Sequence, residues 1–125
     1  MVMSLLGMNV LVVDDKKSMR QMVLRALLQT GLTDLHVDEA ENGSDALAKL
    51  ASVEPDLILS DWSMPEMNGV ELLRELRARG CTVKFGFVTS EAASTAMREK
   101  AFEAGAQFML EQPVSPQRIR YLLHR

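Results

Sequence analysis

The chain has little of what staples, anchors or charges a small protein. A single cysteine, Cys81, excludes an internal disulfide, and no His, Asp or Glu stands at zinc-ligand spacing around it. Cys81 therefore reads as a small, partly buried side chain. No long run of Lys or Arg occurs and the formal net charge is -3, so the electrostatic footprint of direct nucleic-acid binding is missing. The longest apolar runs, such as Val10 to Val13, fall far short of the roughly 20 residues that span a bilayer, and the chain does not open on a basic segment ahead of a cleavable hydrophobic one. These absences lead to the expectation of a cytoplasmic protein with no membrane insertion. No linker, repeat or low-complexity tract divides the sequence, and 125 residues suit one domain spanning 1–125.

What is present is ordinary globular usage, 47% apolar and 25% charged, arranged as short apolar runs alternating with amphipathic helical patterns. The strand candidates are Val10 to Val13, Leu35 to Ala40, Leu57 to Ser60, Lys84 to Val88 and Phe108 to Glu111. Between them, Met19, Met22, Val23, Ala26 and Leu27 recur at helical spacing, with Ser18 and Gln21 as a capping box and Gly31 as a stop. The second helix buries Leu47, Leu50 and Ala51; the third carries Leu72, Leu73 and Leu76 behind Asn68 as N-cap and Glu71. The fourth has Met97, Ala101 and Ala104 before Gly105, and the fifth starts at Ser115 and Pro116 and buries Ile119, Leu122 and Leu123. The class is α/β, and right-handed crossovers favour a doubly wound five-stranded parallel sheet of strand order 2-1-3-4-5.

That order locates function. Ligands of such sheets bind in the crevice outside the carboxyl ends of the strands where the chain reverses direction, between strands one and three. Asp14, Asp15 and Asp61 directly follow those strands. At about 5 Å and an effective dielectric near 20, each like-charged pair costs roughly 3 kcal/mol, so the cluster should bind a cation or hold a proton. Mg²⁺ fits better than Ca²⁺, with carboxylates, a backbone carbonyl such as that of Ser63, and water forming a hard oxygen shell. A carboxylate is also a nucleophile toward phosphorus, so Asp61 could become an aspartyl phosphate. An isolated Asp at any of these places would ordinarily be a strand terminator or loop cap. Convergence of three favours a site.

Val-Leu-Val-Val-Asp-Asp at 10 to 15, Asp-Trp-Ser-Met-Pro-Glu-Met-Asn-Gly at 61 to 69 and Val-Thr-Ser-Glu at 88 to 91 together resemble the receiver domains of response regulators, in particular the single-domain chemotaxis type, over roughly residues 8 to 124. The resemblance implies Asp61 as phosphoacceptor, Mg²⁺ held by Asp15, Asp61 and the Ser63 carbonyl with Asp14 acting largely through water, and Thr89 bonding a phosphoryl oxygen. Pro65 and Gly69 would shape the loop after the acceptor. It also implies a signalling switch rather than an enzyme. The switch would be loaded by a sensor histidine kinase or phosphotransfer protein and read by a downstream protein partner, and would assist its own transfer and hydrolysis.

Two positions, Gln112 and Met109, depart from the family pattern. Glu-Gln-Pro-Val at 111 to 114 places Gln112 where the family has Lys, replacing a cation with a neutral amide donor. Lys16, next to Asp15, reads first as a solvated lysine at a helix entrance, with lending the missing charge as the alternative. The family's aromatic switch residue aligns with Met109, and Phe108, one position early, must point to the opposite face of the strand. The resemblance implies that Ser63 and Glu91 occupy places that influence water access to the phosphoryl group, and Trp62 is expected at the pocket rim. His36 and His124 have no organised partners for phosphotransfer. The alternative reading is a pseudo-receiver that binds a protein without using phosphate. A stand-alone phosphatase or nucleotide enzyme ranks lower, for want of a phosphate-cradling Gly-rich loop.

Overall fold

Apolar runs that are buried on both sides become the central strands. The computed structural model describes residues 7–90 and 92–123. Strands β1 (Met8–Val13), β2 (Leu35–Ala40), β3 (Leu57–Ser60), β4 (Lys84–Thr89) and β5 (Phe108–Glu111) alternate with helices α1 (Lys17–Leu28), α2 (Gly43–Lys49), α3 (Gly69–Ala78), α4 (Thr95–Ala104) and α5 (Pro116–Leu123). Every strand pairing is parallel and the order is β2-β1-β3-β4-β5, as the strand-helix alternation predicts.

The period of two along each strand sorts the core into layers. Leu11, Val13, Ile58, Phe85, Phe87 and Met109 pack on one face with Ala46 of α2, Leu72, Leu73 and Leu76 of α3 and Ala101 of α4. Val10, Val12, Leu57, Leu59, Val88, Phe108 and Leu110 pack on the other with Val23, Ala26 and Leu27 of α1 and Ile119, Leu122 and Leu123 of α5. Met109 and Phe108 thus lie on opposite faces, as neighbours on a strand must. Phe108 covers Gly86 so closely that a Cβ there would lie 2.1 Å from its ring.

Local signals set most helix ends. Asn68 accepts from the Glu71 amide at 2.9 Å and Glu71 accepts from the Asn68 amide at 2.9 Å, the expected capping box of α3. Gly105 ends α4 at φ 109°, in the left-handed region. The helix α1 corrects one expectation: Ser18 does not cap it. The helix begins at Lys17, because the Asp14 side chain accepts from the Lys16 amide at 2.9 Å and turns the chain early. The Lys16 carbonyl then accepts from the Met19 and Arg20 amides. In α2 the buried residues are Gly43 and Ala46; Leu47 and Leu50 are half-buried, and Ala51 is exposed because the helix stops at Lys49. Glu91 and His124 lie outside the described residues. No helix among the described residues is long and apolar enough to cross a membrane.

Candidate functional site

The register of the three central strands assembles the site. Val13 pairs with Ser60, so the residues that follow them, Asp14 and Asp61, leave the sheet side by side. The Asp61 amide donates to the Val13 carbonyl at 2.9 Å and the Asp14 amide to the Ala40 carbonyl at 3.1 Å, which continues the ladder past the last strand residues. Carboxylate oxygens of Asp14, Asp15 and Asp61 lie within 4.8 Å of one another. Asp14 and Asp61 are 5% and 8% exposed, whereas Asp15 is open to solvent.

Three carboxylates so placed are not at ease. Burial, and then the charge of Asp14, push the Asp61 carboxyl up to about 6, against the opposing pull of the Trp62 amide, Lys16 and the Ser63 amide. Burial likewise raises Asp14, with the Lys16 amide opposing it and Asp15 adding to the rise. A cluster that prefers either a proton or a cation, built of hard oxygen donors at one strand edge, has the chemistry of a divalent-metal site.

The walls are supplied by neighbouring elements. Thr89 ends β4 and is 2% exposed, at the same edge of the sheet. Gln112 follows β5; its amide donates to the Thr89 carbonyl at 3.0 Å, which seats it beside Thr89, half-buried. Ser63 lies exposed in the loop after β3. The Trp62 amide donates to Asp61 Oδ1 at 2.8 Å, and the half-buried indole meets the Phe87 ring edge-on at 5.0 Å between centroids. The loop returns so tightly that the Gly69 amide donates to the Trp62 carbonyl at 3.0 Å. A Cβ on Gly69 would lie 2.2 Å from the Asp61 carbonyl oxygen and 2.6 Å from the Phe87 ring. Pro65 remains exposed in that loop.

Two charged neighbours complete the surroundings. Lys16 Nζ stands 3.8 Å from Asp15 Oδ1. Arg20, on α1, is buried: Nη1 donates to the Asp14 carbonyl at 2.8 Å and Nε to Glu39 Oε1 at 2.8 Å. Sequence reasoning missed Arg20, although its position three before Val23 on the buried stripe of the helix marks it as a charge turned inward. His36, by contrast, is exposed on β2, near Asp38 at 3.4 Å and away from the pocket strands' edge.

A doubly wound parallel sheet with this acidic pocket at its switch point defines a class, and residues 10–124 match the model of the response regulator receiver domain. The chain belongs to that family, the phosphoryl-accepting receivers of two-component signalling, and is a signalling switch. It is 32% identical over 120 residues to chemotaxis protein CheY of Thermotoga maritima, covering 96% of this chain and 98% of that protein. Chemotaxis protein CheY1 of Helicobacter pylori strain J99 is 35% identical over 88% of this chain and 89% of its own length. Among solved structures, chemotaxis protein CheY4 of Vibrio cholerae superposes with a TM-score of 0.82 at 32% identity, over 95% of this chain and 98% of that one.

Proposed function

We propose that Asp61 accepts the phosphoryl group, donated by a phosphohistidine of a sensor histidine kinase or phosphotransfer protein, and that the phosphorylated chain is read by a downstream protein partner. The observation that carries this reading is the convergence of three carboxylates within 4.8 Å around the buried Asp61. In the transfer an Asp61 carboxylate oxygen attacks phosphorus while the bond from phosphorus to the donor nitrogen breaks, and the electron pair leaves with that nitrogen. The acyl phosphate later returns to carboxylate by attack of water. The Trp62 amide, bonded to Oδ1 at 2.8 Å, orients the carboxylate for attack through its other oxygen.

The donor set fits Mg²⁺, which Asp14, Asp15, Asp61 and the Ser63 backbone carbonyl would hold. When bound, Mg²⁺ screens the pocket's negative charge and the charge of the incoming phosphoryl oxygens. Thr89, buried at the same edge, would donate its hydroxyl to a phosphoryl oxygen. Gln112, in the place of the family's lysine, offers only a neutral amide, so the phosphorylated and unphosphorylated conformations differ less in energy than in a receiver with a lysine there. The names of the relatives support chemotaxis as the pathway.

A second reading, a pseudo-receiver that binds its partner without phosphate, draws support from Gln112 and from the buried Met109 where the family has an aromatic switch residue. Incubation with a small phosphodonor, with and without Mg²⁺, separates the two. The expected result is an added phosphoryl mass on the wild-type chain that needs Mg²⁺ and is missing from Asp61→Asn. Persistent lack of the added mass favours the pseudo-receiver.

A further inference from the structure

We propose that Lys16 supplies the positive charge facing the phosphoryl group on Asp61, the charge that Gln112 does not provide. The inference rests on Asp61 as acceptor. A phosphoryl group adds nearly two negative charges to a pocket that already holds Asp14 and Asp15. A cation is therefore needed beyond the metal.

The structure places Lys16 to be that cation. Its main chain is built into the pocket wall: the amide donates to Asp14 Oδ1 at 2.9 Å, and the carbonyl accepts from the Met19 and Arg20 amides, each at 3.1 Å. Its ammonium stands 3.8 Å from Asp15 Oδ1, beyond hydrogen-bond length, on a side chain that is 62% exposed. So loose a pair is exchanged for a phosphoryl oxygen at little loss. The nearest competitor, Arg20, is engaged by the Asp14 carbonyl and by Glu39. Lys49 is engaged by the Glu39 carbonyl and Asp45.

One ammonium in this place has two effects of opposite sign. It attracts the phosphoryl oxygens and repels a divalent cation entering among the same carboxylates. A lysine that merely holds the turn would move both properties in the same, unfavourable direction when removed.

The test compares wild type, Lys16→Met, Lys16→Arg and Asp61→Asn by calorimetric Mg²⁺ titration and by the rate of phosphoryl uptake from phosphoramidate at saturating Mg²⁺, read as intact mass. Lys16→Met is expected to bind Mg²⁺ several-fold tighter yet take up phosphoryl roughly tenfold more slowly. Lys16→Arg is expected to restore most of the rate. An unchanged rate in Lys16→Met overturns the proposal and leaves Asp61 as acceptor standing, provided Asp61→Asn takes up nothing. A slower rate together with weaker Mg²⁺ binding also overturns it, because that pair marks a distorted turn. No uptake by the wild type overturns both the proposal and the reading it rests on.

Discussion

Arg20 ties the main-chain carbonyl of Asp14 to the carboxylate of Glu39, with both hydrogen bonds at 2.8 Å and the guanidinium buried beneath the acidic pocket. The turn that carries Asp14 and Asp15 is thereby anchored to β2 as well as to β1. Arg20→Ala leaves the buried Asp14 carbonyl without its donor, while the partly exposed Glu39 carboxylate turns to water, and should lower stability by about 1–3 kcal/mol. Arg20→Lys should recover only part, because one ammonium cannot reproduce the fork. Urea unfolding checks both; an unchanged midpoint for Arg20→Ala contradicts the anchoring.

The strained carboxylates give stability a pH slope in metal-free buffer. Asp61 is raised from 3.8 to about 6 in the folded chain, so between those values the folded state binds more proton than the unfolded one. Stability should therefore fall as pH rises from about 4 to about 6, by about 1–2 kcal/mol once screening by water at the pocket mouth is allowed for. Above that window the Asp61 contribution is flat. Asp61→Asn should remove most of the slope and be more stable than wild type at neutral pH under a chelator. Thermal melts at several pH values check the sign; a stability that climbs with pH across this window in wild type contradicts it.

Gly69 is where the loop after β3 has no room. With 2.2 Å to the Asp61 carbonyl oxygen, which is main chain and cannot swing aside, Gly69→Ala must displace the turn. The expected loss is about 2–3 kcal/mol. Because the clash falls on Asp61 itself, phosphoryl uptake should slow at a temperature where the variant is still folded. Wild-type melting and uptake in Gly69→Ala would show that the turn is softer than its contacts indicate.

If a cation near the phosphoryl group is what matters, its source should be exchangeable. Gln112→Lys brings an ammonium in from the β5 side, next to Thr89. In the Lys16→Met background it should restore phosphoryl uptake to within about threefold of wild type. On its own it should change the lifetime of the phosphorylated form. Failure of the double variant to recover, with the single Gln112→Lys variant active, would set the two positions in separate roles.

The sheet was legible because its signals are local and redundant. Four apolar residues at Val10 to Val13, closed by Asp14, and three at Leu57 to Leu59, closed by Ser60, are hard to read as anything but buried strands. The acidic site followed from topology alone, since strand ends that are neighbours in the sheet bring Asp14 and Asp61 together. What was not legible depends on tertiary contact. Ser18 has the composition of an N-cap, yet the Asp14 side chain takes the Lys16 amide and starts α1 first. Ala46 rather than Ala51 is buried in α2, because where a seven-residue helix stops is set by its packing and not by its period. Arg20 reads as surface charge until its acceptors, one of them on another strand, are known.

The proposed role of Asp61 requires that its carboxylate become an acyl phosphate. The most direct measurement is to load the wild-type chain from a small phosphodonor with Mg²⁺, reduce with borohydride, and sequence the peptide spanning 57–76 by mass spectrometry. The expected result is homoserine at position 61, with none when Mg²⁺ is withheld or in Asp61→Asn. Reduction at another carboxylate, or unmodified Asp61 under full loading conditions, would contradict it.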